Sequence, residues 1–91
     1  MERQGYSMSD NEFDVMDQLY FVTSYNDLKE VSGLEDKLIE AILWGFIKND
    51  WVKCLKDPEV EVEVDEVAFE KNYTNYYYLA SKAGLLAHNL S

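Results

Sequence analysis

The sequence predicts a small α+β domain in which three helices precede a β-hairpin, and a further strand leads into a closing helix. Two patterns predict it. Apolar residues recur with helical spacing before residue 49, and apolar and charged residues alternate from Trp51 to Val64, as they do in strands. The 91 residues are 47% hydrophobic, which suits one modest core in a single domain over residues 9–91, behind a disordered tail over residues 1–8.

Start and stop signals delimit the three helices. Ser9-Asp10-Asn11-Glu12 has the pattern of a capping box and begins a first helix that should continue to about Thr23. A second start signal at 24–27 opens a short helix, which Gly33 ends because glycine tolerates a left-handed turn. The third helix, over residues 35–49, has a wide apolar face.

The second half of the chain is predicted to contain the strands. Trp51–Lys56 and Glu59–Val64 flank an Asp-Pro turn and should pair as a hairpin. The stretch 65–75 is expected to be a mixed loop anchored by Phe69 and Tyr73. Tyr76 to Ala80 is rich in strand-forming residues, and Ser81 should cap the closing helix; the expected tyrosine strand packs one row of rings inward.

The order of these elements is that of a winged helix-turn-helix domain. The run NDLKEVSGLEDKLIEAILWGFIKNDWVKCL resembles the helix-turn-helix and first wing strand of bacterial winged-helix transcriptional regulators, and YYYLASKAGLLAHN is similar to their returning strand and final helix. The resemblance covers roughly Phe13 to Asn89 and implies that the third helix faces a DNA major groove while the wing touches the backbone or the minor groove.

The resemblance assigns groove-facing positions that carry unusual charges here. By position these are Glu35, Asp36, Lys37, Glu40, Ala41 and Trp44, of which three are acidic. The excursion from Asp57 to Glu70 contains many carboxylates and no lysine or arginine, and the whole chain has 18 acidic and 8 basic side chains, a net charge of −10. Such a balance repels phosphate, whose neutralisation supplies most non-specific DNA affinity.

Two functions are therefore expected, with the first slightly ahead. In the first, the domain is a protein-interaction module that docks on a basic partner or pairs with its twin through the edge of the 59–64 strand. Its partner-binding residues would be Glu59, Glu61, Glu63, Val60, Val62, Val64 and Trp44. In the second, a DNA-binding regulator uses helix 35–49 and the wing, with contacts from Lys37, Ala41, Trp44, Lys29 and Lys48.

Composition and motifs argue against other classes. No apolar run is long enough to span a bilayer, and the N-terminus lacks a secretory pattern, so a cytoplasmic protein is expected. The carboxylates form no calcium-loop motif and accompany no nucleophile, so we expect no catalytic residue, metal, cofactor or small-molecule substrate. Cys54 should be a buried inert thiol, and His88 a surface histidine without a role. Trp44 is expected to be either an exposed anchor or partly buried against the wing or the first helix.

Overall fold

Five α-helices and a four-stranded antiparallel sheet form the part of the protein that the structure, a computed structural model, describes, residues 8–91. The helices are α1 (Asp10–Asp17), α2 (Tyr25–Ser32), α3 (Asp36–Lys48), α4 (Glu66–Asn72) and α5 (Lys82–Leu90). The strands are β1 (Thr23–Ser24), β2 (Val52–Asp57), β3 (Val60–Val62) and β4 (Tyr77–Ala80). Short 3₁₀ turns follow α1 and α4, over Gln18–Tyr20 and Tyr73–Asn75. The protein is therefore of the α+β class, as predicted.

Side-chain caps fix the helix starts where the sequence predicts them. The Ser9 hydroxyl accepts a hydrogen bond from the Glu12 amide at 3.1 Å, and the Glu12 carboxylate accepts one from the Ser9 amide at 2.8 Å. Ser24 and Ser81 cap α2 and α5 in the same way, each through an amide three residues on. Gly33 ends α2 with a φ of 69°, a left-handed conformation that costs glycine little. These local signals are confirmed.

The sheet has the order β1-β4-β2-β3, with every neighbouring pair antiparallel. β2 is central, and its pairing with β3 confirms the predicted hairpin. The register between them shifts after Leu55, so that Asp57 rather than Lys56 lies opposite Val60. The two-residue β1 was not predicted, because its pairing with Tyr77 and Tyr78 of β4 depends on residues far along the chain.

The prediction of a loop over residues 65–75 is wrong, since most of this stretch is α4. Asp65 caps that helix by accepting a hydrogen bond from the Ala68 amide at 2.8 Å. Phe69 is fully buried and does anchor the segment, and Tyr73 is half-buried. α4 carries the chain from β3, at the sheet edge, across to β4 on the other side of β2; because both strands are antiparallel to β2, they run in the same direction.

The core lies between the helices and one face of the sheet. Its largest fully buried side chains come from four helices, a 3₁₀ turn and a strand: Val15, Met16, Leu19, Leu28, Ile39, Leu43, Phe69 and Tyr78. The Tyr78 hydroxyl donates to the Tyr73 carbonyl at 2.7 Å, so the buried phenol is satisfied. Of the tyrosines Tyr76, Tyr77 and Tyr78, Tyr78 packs fully inward, and the other two are half-buried.

Cys54 is buried in β2, as predicted, and burial raises the pKa of its thiol to about 12. None of the helices in residues 8–91 is long and apolar enough to cross a bilayer. The tail predicted over residues 1–8 lies outside the described residues except for Met8, which is half-buried against the core.

The prediction that His88 is a surface residue is wrong. Its side chain is only 7% exposed, with the ring stacked on Phe13 at 4.0 Å and Nδ1 at 2.8 Å from the Tyr20 hydroxyl. Nε2 has no hydrogen-bond partner among the described residues; the nearest carboxylate oxygen, from Asp17, is 3.7 Å away. The histidine joins α5 to α1 and the 3₁₀ turn that follows it.

Candidate functional site

A groove of about 450 Å³ runs beside the central and edge strands β2 and β3; we call it the β2–β3 groove. Its apolar lining comes from Ile47 near the end of α3, from Val52 and Cys54 of β2, and from Val62 and Val64. The two valines are half-buried against the core. Val62 faces the core because it lies opposite the buried Cys54 in the sheet register.

The charged residues that line the β2–β3 groove are mostly acidic. They are Asp50, Glu61 and Glu63 against Lys53, all with exposed side chains. No ion pair involves any of the three carboxylates within the described residues. A groove with an apolar lining and surplus negative charge suits a ligand with an apolar body and a positively charged head.

The turn at Asp50 positions one of these carboxylates. α3 ends at Lys48 with Asn49 as its C-cap, after which the Asp50 amide donates to the Ile47 carbonyl at 3.0 Å and the Trp51 amide to the Phe46 carbonyl at 2.8 Å. This is a Schellman motif, and Asp50 takes its left-handed position with a φ of 60°. The motif turns the chain sharply from α3 into β2.

The structure divides the predicted partner-binding residues among three places. Glu61, Glu63, Val62 and Val64 line the β2–β3 groove together. Glu59 and Val60 lie at the hairpin turn outside the groove lining, where the Asp57 carboxylate accepts a hydrogen bond from the Glu59 amide at 2.9 Å. Trp44 lies in a second groove.

That second groove, the α3–α4 groove, has a volume of about 360 Å³. Trp44 is half-buried in it and stacks on Phe69 of α4 with ring centroids 5.3 Å apart, so it is partly buried, although against α4 rather than against the wing or the first helix. Glu66 and Glu70 of α4 line the groove opposite the charged side chains of α3, which are Lys37, Glu40 and Lys48.

The α3–α4 groove contains four of the five residues predicted for DNA contact: Lys37, Ala41, Trp44 and Lys48. Lys37 donates to Glu40 at 3.3 Å, and this hydrogen bond and the neighbouring charge raise the pKa of Lys37. Carboxylates of α4 thus lie beside the lysines that would have to approach phosphate.

The fifth predicted DNA-contact residue, Lys29, is engaged elsewhere. Its ammonium lies 3.0 Å from Asp36, whose carboxylate also accepts a hydrogen bond of 2.6 Å from the Tyr25 hydroxyl. The Tyr25 hydrogen bond first, and Lys29 second, hold the pKa of Asp36 below its ordinary value. The Tyr25 pKa is raised because the phenol is buried and donates to a carboxylate.

Several groove residues were not predicted from the sequence. Asp50 and Lys53 belong to the β2–β3 groove, and Glu66 and Glu70 to the α3–α4 groove. The alternation in WVKCL does place Lys53 on the face opposite Cys54, but its position in the same groove as Glu61 follows only from the pairing of β2 with β3. Within residues 8–91, no three His, Cys, Asp or Glu side chains are arranged to hold a metal ion.

Comparison with protein-family models, with curated proteins and with solved structures finds no match to this chain.

Proposed function

We propose that this chain is a winged-helix domain that acts without catalysis, by binding a basic segment of a partner protein in the β2–β3 groove. The fold part of the proposal is supported by α2 and α3, which are joined by a three-residue turn containing the left-handed Gly33, as in a helix-turn-helix. It is supported too by the antiparallel pair β2–β4, which follows α3 and precedes the final helix. β3 and α4 extend the wing between those two strands.

The binding proposal rests on two properties of the β2–β3 groove, its apolar lining and its surplus of carboxylates. Half-buried Val62 and Val64 alternate along the chain with the exposed carboxylates Glu61 and Glu63, and Lys53 is the lone cation among the residues that line the groove. An arginine or lysine of a partner can lay its methylene stem on the valines and direct its charged head toward the carboxylates.

Long-range electrostatics favours the same partner. A net charge of −10 attracts basic segments and accelerates their encounter with the groove, especially at low salt. Ion pairs with exposed carboxylates contribute about 0.2–1 kcal/mol each, so selection of a basic partner over a neutral one requires several such contacts together with the apolar lining. Glu61 and Glu63 supply these contacts, while Glu59 at the turn contributes to steering.

Binding is tested with a short fluorescein-labelled peptide of Arg, Val and Ser, measured by fluorescence anisotropy. The double variant Glu61→Lys with Glu63→Lys should bind the peptide at least tenfold more weakly, because losing about 1.4 kcal/mol already costs a factor of ten. The wild-type affinity should fall as salt rises.

The matched control is the double variant Glu66→Lys with Glu70→Lys in the α3–α4 groove. Each reversal adds two charge units, so both double variants change the formal net charge from −10 to −6. The control should retain most of the affinity. Equal weakening in both variants would show that net charge alone attracts the peptide, and unchanged binding in both would exclude the β2–β3 groove.

The alternative is DNA binding through α3, using Lys37, Ala41, Trp44 and Lys48. The carboxylates of Glu66 and Glu70 beside these residues argue against it. The same anisotropy assay with a labelled DNA duplex at low salt separates the two functions. Micromolar affinity with a steep loss on adding salt would favour DNA recognition, whereas we expect no binding.

A further inference from the structure

One side of α5 packs against the rest of the domain. Its outward side is an exposed, largely apolar surface. Gly84, Ala87 and His88 are buried toward the rest of the domain, and His88 stacks on Phe13 of α1. On the solvent-exposed side of the helix, Ala83, Leu86 and Leu90 lie beside the exposed Lys82 and Asn89, and the two leucines are exposed to 54% and 51%. Their spacing of three and four residues places them in one row. We call this row the α5 face.

We propose that the α5 face binds the α5 face of a second copy of this chain in an antiparallel, twofold-symmetric pair. In that arrangement Leu86 meets its equivalent near the axis, and the small Ala83 of one copy faces the larger Leu90 of the other. The same patch then serves both copies, as a twofold interface requires. This proposal concerns a surface distinct from the β2–β3 groove and does not depend on binding there.

The charges of the molecule favour this surface for self-association. In a chain with 18 acidic side chains, α5 has none, and its first residue is Lys82. Antiparallel pairing brings Lys82 of each copy to the C-terminal end of the other helix, where a positive charge complements the helix dipole. Two copies can therefore approach through α5 with no carboxylate on the paired helices themselves, and Asp17 of α1 is the carboxylate beside them, 3.7 Å from His88.

The other surface suited to self-pairing is the outer edge of β3, which has no neighbouring strand among residues 8–91. Antiparallel pairing there would bring Glu59, Glu61 and Glu63 against the same residues of the second copy. Like charges directly opposite each other in a sheet are destabilising. The α5 face is thus favoured over the strand edge that the sequence suggested.

Area limits the strength of the dimer. α5 has nine residues and is therefore about 14 Å long. Stable interfaces bury about 1,200–2,000 Å² in total, more than one such helix pair can provide. Tyr20, whose hydroxyl lies 3.4 Å from the Asn89 side chain, adds apolar surface at the flank. A weak, concentration-dependent dimer is expected.

Sedimentation equilibrium over a range of concentrations tests the proposal. The wild type should pass from the monomer mass of 10.6 kDa toward twice that value as concentration rises. Leu86→Glu should stay monomeric, because two carboxylates would meet near the axis. The control Val31→Glu, at a 61%-exposed position on α2, should dimerise like the wild type. A wild type that remains monomeric up to about 1 mM, where a dissociation constant corresponds to only about −4 kcal/mol, would overturn the proposal.

A second variant locates the interface without depending on the fold of Leu86→Glu. Leu86→Cys, oxidised by copper–phenanthroline in air, should give a disulfide-linked dimer, while the wild type should not, because Cys54 is buried. Glu61→Lys should leave the dimerisation constant unchanged. Stronger or weaker association of that variant, together with no cross-linking at residue 86, would assign the dimer to the β3 edge instead.

Discussion

Gly84 lies in the first turn of α5, against the backbone at the start of β2. A side-chain carbon added there would overlap the Trp51 carbonyl oxygen, a backbone atom that already accepts a hydrogen bond of 2.9 Å from the Ser81 amide. The side chain of Met16 closes the site from another direction. The close approach of α5 to β2 therefore depends on the absence of a Cβ.

We predict that Gly84→Ala lowers the free energy of unfolding by about 1–3 kcal/mol, the usual range for forced overpacking. The control is Gly45→Ala in α3, where a Cβ meets no atom within 4 Å. That variant should stabilise the protein by up to about 1 kcal/mol through helix propensity alone. Urea unfolding followed by circular dichroism measures both. Equal effects at the two glycines would show that α5 can shift away from β2.

The sequence reveals the cap at Ser81 but not the role of Gly84. Ser81 and its bonded amide are three residues apart, so a local pattern is enough to recognise the cap. The carbonyl that excludes a side chain at Gly84 belongs to Trp51, which only the fold brings near. The same distinction separates the buried His88, whose partners are in and after α1, from a surface histidine.

At the scale of elements, a polar tie joins the starts of α2 and α3. Tyr25 in the first turn of α2 donates to Asp36 at the first position of α3, and Lys29 pairs with the same carboxylate oxygen. The folded-state pKa of Asp36 is lower than its ordinary value of 3.8. A group of this kind stabilises the fold above its unfolded-state pKa, and the contribution is lost as pH falls through the folded-state pKa.

We predict that Tyr25→Phe raises the pKa of Asp36 toward its ordinary value, because the largest cause of the depression is removed. An NMR titration of the Asp36 carboxyl carbon measures this directly. Acid unfolding should also become less steep below pH 3.8, where the tie contributes its pH dependence. Lys29→Met, which removes the second cause, should have a smaller effect on the pKa. An unchanged titration in Tyr25→Phe would refute the tie.

Elements with local signals were predictable, and those defined by distant contacts were not. The caps of α1, α2 and α5 and the hairpin of β2 with β3 follow from short patterns. β1 could not be predicted, because two residues form a strand only by pairing with β4. Asp65 was a start signal for α4, because it caps the Ala68 amide three residues on. The helix was nevertheless missed, because alternating residues precede Asp65 and polar residues follow the helix.

For the candidate site, the sequence predicts the types of residue but not how they are grouped. Alternation places Glu61 and Glu63 on one side of the strand and Val62 on the other. That Val62 and Val64 pack on the core of their own chain, and that Asp50 joins the same groove, follows only from the register of β2 and β3 and the turn after α3. Trp44 does not line the β2–β3 groove, because it stacks on Phe69 in the α3–α4 groove.

At the scale of the whole molecule, unbalanced negative charge opposes folding. The chain has 18 acidic and 8 basic side chains, and many of the carboxylates are exposed. Compaction brings these charges together, and the repulsion destabilises the folded state. Added salt shortens the screening length from about 10 Å at 0.1 M to 3 Å at 1 M, which weakens that repulsion.

We therefore predict that the unfolding temperature at pH 7 rises by a few degrees when sodium chloride is added to a low-salt buffer. A gain of about 1 kcal/mol corresponds to roughly 4–8 °C for a domain of this size. Differential scanning calorimetry at fixed protein concentration measures the shift. The same titration near pH 4 should give a smaller shift, because many carboxylates are then protonated. A falling midpoint at pH 7 would mean that ion pairs such as Lys29–Asp36 outweigh the repulsion.

The crossover from β3 through α4 to β4 has a consequence for how this domain can vary. β2 and β4 pair directly, with Leu55 opposite Tyr77, so the sheet between them does not require the intervening segment for its hydrogen bonds. The exposed positions within residues 58–75 can therefore change without breaking the hydrogen bonds between β2 and β4, whereas Phe69 must still fill the core. This one excursion shapes both grooves, so new binding surfaces can arise by substitution there without redesign of the fold.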